Sequence, residues 1–295
     1  MTAKPSLTAD PVDEIESSSA PLVEHLAELR NRLIWSLLAF VVAMTACFTV
    51  WRPFYDFLTV PLCTALENHG QPCALVFLSL QEGFFLAFSI SMMAGLVISF
   101  PVISYQLWRF VAPGLYKNEK RAFLPFLLAS PAMFIGGAAF AYYVIAPMAF
   151  DFFLNFQTAE TLTGASELQK GEASIIFQGS AKAYLSLTMA FIVSFGLCFQ
   201  LPVLLTLLGR AGIVTASGLG RMRKYALVGI LIMAAIATPG PDVMSQVILF
   251  AAIYPLYEIS IWLVRRHERQ VEARMRAEGL LGPNESLYGD DEGAA

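Results

Sequence analysis

The stretch FPVISYQLWRFVAPGLYKNEKRA, Phe100 to Ala122, decides the fold. Phe100 to Trp108 closes a long apolar run. A short polar segment follows, holding Arg109, Lys117, Lys120 and Arg121 with one acid among them, Glu119. The next apolar run starts at Phe123. A cationic hairpin between two long apolar runs is what a cytosolic loop between membrane helices looks like.

Working outward, apolar runs recur at roughly 33–51, 83–108, 123–150, 183–209, 225–238 and 244–264, about the length a membrane helix needs in most cases. Composition agrees. The 295 residues are 57% hydrophobic and 14% charged, where soluble domains have about 25% charged residues, and the mean hydropathy is +0.61. The reading is an all-α polytopic membrane protein with six spans. The loops fall at 52–82, 109–122, 151–182 and 210–224, with a tight turn at 239–243. Sixteen of the 19 Lys and Arg residues lie in the tails and in the second and fourth loops; Arg52, Lys170 and Lys182 lie on the other side. The positive-inside rule therefore places both termini in the cytosol.

The remainder divides simply. Residues 1–20 read as a disordered cytosolic tail, 21–264 as the membrane domain and 265–295 as a charged cytosolic tail that starts with helical pattern (RRHERQVEARMRAEG). No secretory signal is evident in the polar first 21 residues. Leu22, Leu26, Leu29 and Leu33 make one apolar stripe, which predicts an amphipathic surface helix running into the first span. The third span, about 28 residues, is about 42 Å long as a helix. The fifth, with about 14, reaches only about 21 Å, short of a hydrocarbon core of about 30 Å. Prolines at 101, 125, 131, 147, 202 and 255 predict bent helices and a concave assembly.

Missing chemistry excludes much. The three histidines, His25, His69 and His267, lie in tails or loops. There is no HExxH, G-x-S-x-G or Walker loop, and no active site, metal or cofactor is expected. The first five spans hold no Asp, Glu, Lys, Arg or His, which leaves an ion-coupled small-molecule transporter, the alternative reading, without a mid-membrane charge. Cys47 and Cys198 fall in apolar runs as core residues. Cys63 and Cys73 share an external loop; an oxidising compartment permits a disulfide, and the reading leans toward free thiols because spacing does not establish geometry.

The remaining polar residues each have a plain role and a functional one. Gln200 offers either an interhelical hydrogen bond or a contact for an entering polar group. Glu258, about seven residues inside the last span, is expected to pair with a cation or hydroxyl. Asp242 and Glu82 sit where acids start helices. Glu28 has Arg32 four residues on as an ion-pair partner, and Glu119 has its cationic neighbours. Alternatively, the two carboxylates together suit a dibasic ligand, since arginine binds carboxylates through paired hydrogen bonds.

Five ordered motifs carry a resemblance: HLAELRNRL (25–33), FPVISYQLWRFVAPGLYKNEKR (100–121), FQLPV (199–203), TPGPDVMSQ (238–246) and PLYE (255–258). Over about residues 21–264 the chain resembles the TatC family, core membrane subunits of the twin-arginine translocase, which exports folded proteins using the proton-motive force. The resemblance implies a receptor in the bacterial inner membrane. Glu28, Arg30, Leu33, Phe110 and Glu119 would line the cytosolic patch for twin-arginine signal peptides. Pro61 would match a family proline of the first periplasmic loop, and the fifth and sixth spans would dock single-span partners, TatA and TatB. Lipid contact and self-association in a complex are expected, nucleic acid is not. Gln200 departs from the family, whose members often carry Glu there; Gln200→Glu is expected to retain export and Gln200→Leu to weaken partner binding.

Overall fold

The computed structural model describes residues 11–111, 120–164, 179–237, 243–282 and 285–288. The architecture is helical. α1 (Pro11–Thr49) leads through Val50 into α2 (Trp51–Asn68), β1 (Leu75–Val76) and α3 (Glu82–Val111). α4 (Lys120–Phe140) passes through a π turn, Ala141–Ile145, into α5 (Ala146–Gly164). Then come β2 (Gly179–Ser180), α6 (Ala181–Cys198), α7 (Leu201–Arg210), α8 (Ala216–Arg221), α9 (Arg223–Ala237) and α10 (Val243–Ala277).

Among the described residues, five helical stretches are long and apolar enough to cross a membrane: Ala27–Thr49, Glu82–Phe110, Leu127–Asn155, Ala181–Arg210 and Gln246–Ala277. They coincide with five of the six expected runs. The remaining run is α9, whose 15 residues span about 22 Å at 1.5 Å per residue.

Several boundaries differ from the sequence reading. The first external loop is largely helix: α2 occupies Trp51–Asn68. The third run extends through α5 to Gly164, so the loop expected at 151–182 starts later. The fourth run is two helices, broken at Phe199–Gln200 just before Pro202, which sits in the first turn of α7 where its missing N–H costs nothing. α1 starts at Pro11, inside the stretch expected to be disordered, and makes one helix with the first span. α10 runs through the boundary expected at 265 to Ala277. Beyond it the chain folds back: Glu272 accepts hydrogen bonds from the Ser286 hydroxyl and the Leu287 amide, both at 3.0 Å.

Helices in lipid gain little from hydrophobic burial against one another, so close packing through small residues decides which helices touch. A Cβ at Gly95 on α3 would lie 2.7 Å from the Met44 Cα of α1, and one at Gly196 on α6 would lie 2.7 Å from the Phe134 ring of α4. Glycine at those positions lets α1 lie on α3 and α6 on α4. Phe134, Phe191 and Phe195 fill the centre, with Phe134 stacked on Phe100 at 3.8 Å between centroids. Cys47 and Cys198 are free and buried, as their apolar settings predict.

On the side of the expected external loops, β1 pairs in parallel with β2, Leu75 opposite Gly179 and Val76 opposite Ser180. Cys63 on α2 is disulfide-bonded to Cys73, with Cα atoms 5.0 Å apart. That corrects the expectation of free thiols: the turn after α2 brings the two cysteines within bonding range. Glu82 opens α3, and its carboxylate accepts from the Leu78 amide at 2.6 Å, the Ser79 amide at 3.2 Å and the Ser180 hydroxyl at 3.4 Å. One buried acid thereby ties the start of α3 to both loops.

Candidate functional site

α1 and α3 run together over most of the first span. Near the start of that span they part enough to leave an open groove of about 480 Å³, lined by Ala27, Glu28, Asn31, Arg32, Trp35 and, from α3, Gln106 and Arg109. The spacing explains the α1 wall: Glu28, Arg32 and Trp35 are four and three residues apart and share a helical face. The α3 wall lies within two turns of the helix end at Val111. The groove therefore opens beside the end of α3.

Arg32 pairs with Glu28. Its Nε donates to Glu28 Oε1 at 3.2 Å, and its Nη2 contacts the same oxygen. The Arg32 side chain is 13% exposed, against 39% for Glu28, and Arg32 Nη1 is buried without a hydrogen-bond partner. Arg109 leans on Tyr105, its Nη1 donating to the phenol at 3.4 Å while the guanidinium sits 6.0 Å from the ring centre. Among the described residues, the groove walls thus present one carboxylate, two guanidiniums and the Trp35 ring.

The other sequence-derived candidates scatter. Arg30 and Leu33 are exposed on α1 outside the groove walls, Leu33 being 65% exposed. Phe110 is half-buried, one residue after Arg109. Glu119 and Asp242 lie outside the described residues. Pro61 is buried inside α2, so the expected loop position is a helix interior. Gln200, at the α6–α7 break, directs both ends of its amide at one residue: it accepts from the Ser130 hydroxyl at 2.7 Å and donates to the Ser130 carbonyl at 2.9 Å. Glu258 accepts from Arg223 at 2.9 Å and from the Tyr254 hydroxyl at 3.1 Å, a cation and a hydroxyl together. Ala27, Asn31, Trp35, Gln106 and Arg109 are groove residues that the sequence reading did not place in the site. The Glu28–Arg32 spacing is legible in the sequence, and Trp35 follows from the same helical face; the α3 wall needs the fold.

Comparison with known proteins settles the family. A family model described as Sec-independent protein translocase protein (TatC) matches residues 24–251. The chain belongs to the TatC family. Its relatives include Sec-independent protein translocase protein TatC of Magnetococcus marinus, 41% identical over 273 residues and covering 92% of this chain and 94% of that one. The TatC of Aquifex aeolicus is 36% identical over 257 residues, 87% of this chain and all of the relative. A crystal structure of the twin-arginine translocase receptor TatC superposes with a TM-score of 0.69 at 36% identity, over 82% of this chain and 98% of that one. A second, in the detergent DDM, gives 0.70 over 81% and 98%.

As a TatC, the chain is a multi-pass membrane protein and a non-enzymatic component of Sec-independent protein translocation, the receptor component of the twin-arginine translocase. The small-molecule carrier weighed from the sequence is set aside by this assignment.

Proposed function

We propose that this TatC binds the twin-arginine segment of signal peptides at the α1–α3 groove, at the cytosolic rim of a six-span protein of the bacterial inner membrane. The observation that carries the reading is the groove itself: Glu28 sits in its wall, beside the end of α3 that leads to the loop bearing Glu119. Two guanidiniums on a peptide favour two carboxylates, each able to accept paired hydrogen bonds. Glu28 supplies one and Glu119 the other, while Phe110, Trp35 and Leu33 offer apolar surface to the greasy segment that follows the arginines.

Topology supports that location. Counting α9 as the fifth span puts the N-terminus, the α3–α4 loop, the α7–α9 connection and the C-terminus on one side, where Lys and Arg concentrate. It puts α2, the disulfide and the β1–β2 pair on the other, oxidising side, as a disulfide requires. The short α9 and its partner α10, joined by the Gln246 amide donating to the Leu231 carbonyl at 3.1 Å, are the proposed docking face for single-span TatA- and TatB-like partners. Ile232, Met233 and Val247 are exposed there, and a helix of about 22 Å leaves the bilayer locally thin.

Site-specific crosslinking of a twin-arginine signal peptide tests the site. Wild type is expected to capture the peptide, with Glu28→Ala and Glu119→Ala capturing much less. Equal capture by all three removes the carboxylates from the site.

A further inference from the structure

Pro61 lies inside α2, and its ring nitrogen has no hydrogen to donate. In a helix that amide would serve the carbonyl four residues back, and the proline ring also pushes that carbonyl aside. The residue four back is Phe57. Its carbonyl is not left alone: the Tyr142 hydroxyl donates to it at 2.6 Å. The two rings stack, with centroids 4.3 Å apart and planes 11° from parallel. The next carbonyl along, that of Leu58, receives the Tyr184 hydroxyl of α6 at 3.0 Å. Both tyrosines are buried, 6% and 8% exposed, as is Leu58 at 2%.

The donor's own setting is unusual in a related way. Tyr142 belongs to the π turn Ala141–Ile145, the single π-helical segment among the described residues. Such a turn inserts one residue into a helix and redirects the side chains it carries. Here it divides α4 from α5, the helix on which α2 packs. Two departures from regular helix, a proline in one element and a π turn in another, thus meet at one hydrogen bond.

A tyrosine hydroxyl buried near a helix needs some acceptor, and any nearby carbonyl would satisfy it. That account gives no reason for the acceptor to be the one carbonyl that Pro61 deprives. We propose that Pro61 and Tyr142 form one positioning unit: the proline frees the Phe57 carbonyl, the tyrosine takes the place of the missing amide, and the bond fixes α2 against the bundle in the orientation that translocation requires. Tyr142 touches no substrate in this scheme. It acts through α2, which also carries Cys63 of the disulfide and so sets the position of the loop that pairs with β2. The proposal rests on hydrogen-bond geometry and is independent of the signal-peptide groove.

The test is a double-mutant cycle on the full chain: wild type, Tyr142→Phe, Pro61→Ala and the double variant. Phenylalanine keeps the ring stack and removes only the hydroxyl. Alanine at 61 returns the helical amide, which makes the hydroxyl redundant. Two readouts are taken: the thermal midpoint of the purified protein, and export of a twin-arginine-dependent reporter per receptor in cells lacking their own TatC. Tyr142→Phe is expected to lower the midpoint by about 2–6 °C, as for a buried acceptor left unmade in a chain of this size. It is expected to lower it by less than about 1 °C in the Pro61→Ala background, within the usual error of such comparisons. Export is expected to fall severalfold with Tyr142→Phe while receptor levels hold. Equal losses of midpoint in both backgrounds overturn the pairing, even where Pro61→Ala alone stops export. A coupled midpoint with full export by Tyr142→Phe overturns the positioning role.

Discussion

Gln200→Leu removes a polar clasp between two helices at a fixed pair of distances. Ser130 is 2% exposed, and it exchanges two hydrogen bonds with Gln200, at 2.7 and 2.9 Å. Interhelical hydrogen bonds in membrane proteins average about 0.6 kcal/mol, with a maximum near 1.7 kcal/mol, so losing both costs about 1–3 kcal/mol. Leucine keeps the volume close, so the cavity contribution is small. The Ser130 hydroxyl can turn back to a carbonyl of its own helix, which places the cost at the lower end, about 1–2 kcal/mol. In a chain of this size that is about 2–8 °C of thermal midpoint. The assay is thermal unfolding of the purified protein, with Ser130→Ala as the second arm of a cycle. Ser130→Ala alone removes the hydroxyl bond and leaves the bond to the carbonyl, so the two losses should be coupled rather than additive. Both ends of the amide are engaged within the chain, which is the interhelical hydrogen bond of the two roles expected for Gln200. Gln200→Glu keeps both bonds only as the neutral acid, which accepts from the Ser130 hydroxyl and donates its own O–H to the Ser130 carbonyl, so its midpoint should lie nearer wild type than leucine. An unchanged midpoint in Gln200→Leu would refute the reasoning.

Other residues give sharper single measurements. Arg32→Gln frees Glu28 from an i, i+4 pair worth about 0.3–0.5 kcal/mol, so signal-peptide capture at subsaturating concentration should rise about twofold; reduced capture means that Arg32 helps to hold the peptide. Cys63→Ser opens the disulfide to Cys73, whose sequence separation is 10; a loop that short constrains the unfolded chain by about 2–3 kcal/mol, and a midpoint insensitive to both the substitution and reductant would show that the bond contributes nothing. His69 follows α2, its Nδ1 donating to the Ala65 carbonyl at 2.8 Å and its Nε2 to Asn155 Oδ1 at 3.1 Å. Both partners accept, so the imidazolium fits best, and the Ala65 bond first, with Asn155 second, raises its pKa above 6.5. A raised pKa stabilises the fold fully below the unfolded value and loses that contribution as pH rises through the folded value. The midpoint difference between wild type and His69→Gln should therefore be greatest at acid pH and shrink above neutrality, and a difference independent of pH would contradict the assigned bonds.

How much of this was legible in the sequence depends on the kind of force involved. The long spans were legible because a run of apolar residues has few alternatives to crossing lipid. α2 was not: Arg52, Pro53, Asp56 and Pro61 interrupt its apolar positions and read as loop, whereas the bundle buries Leu58, Leu62 and Leu66 and the hydroxyls of Tyr142 and Tyr184 satisfy its carbonyls. The α1 face of the groove was visible as Glu28 and Arg32 four residues apart. Its α3 face, Gln106 and Arg109, was hidden, because more than seventy residues separate it from α1 and the two helices meet only in the fold, closely at Gly95. Gln200 shows the same limit: its polarity in an apolar run was plain, and its partner Ser130, 70 residues earlier, was not.

These cases share a physical pattern that bears on how a receptor of this kind can work. Several polar side chains within the helical region are turned to carbonyls or to one another: Gln200 to Ser130, Tyr142 to Phe57, Tyr184 to Leu58, Tyr257 to the Leu219 carbonyl at 2.8 Å. The bonds to Ser130 and Phe57 close the α6–α7 break and the carbonyl that Pro61 leaves without an amide, groups that lipid cannot hydrate. The interior is thereby committed to holding its own backbone. At the rim, Arg32 Nη1 is buried without a hydrogen-bond partner beside Glu28, and the ion pair between the two residues is exchangeable. In the proposed binding mode, exchange of one guanidinium for another at Glu28 replaces like with like, so its net energy is small and selectivity for a pair of arginines requires a second carboxylate. With Glu119 proposed as that carboxylate, Glu28→Ala is expected to weaken capture of any arginine and Glu119→Ala to erase the preference for a pair; equal capture of single- and twin-arginine peptides by wild type would refute the scheme.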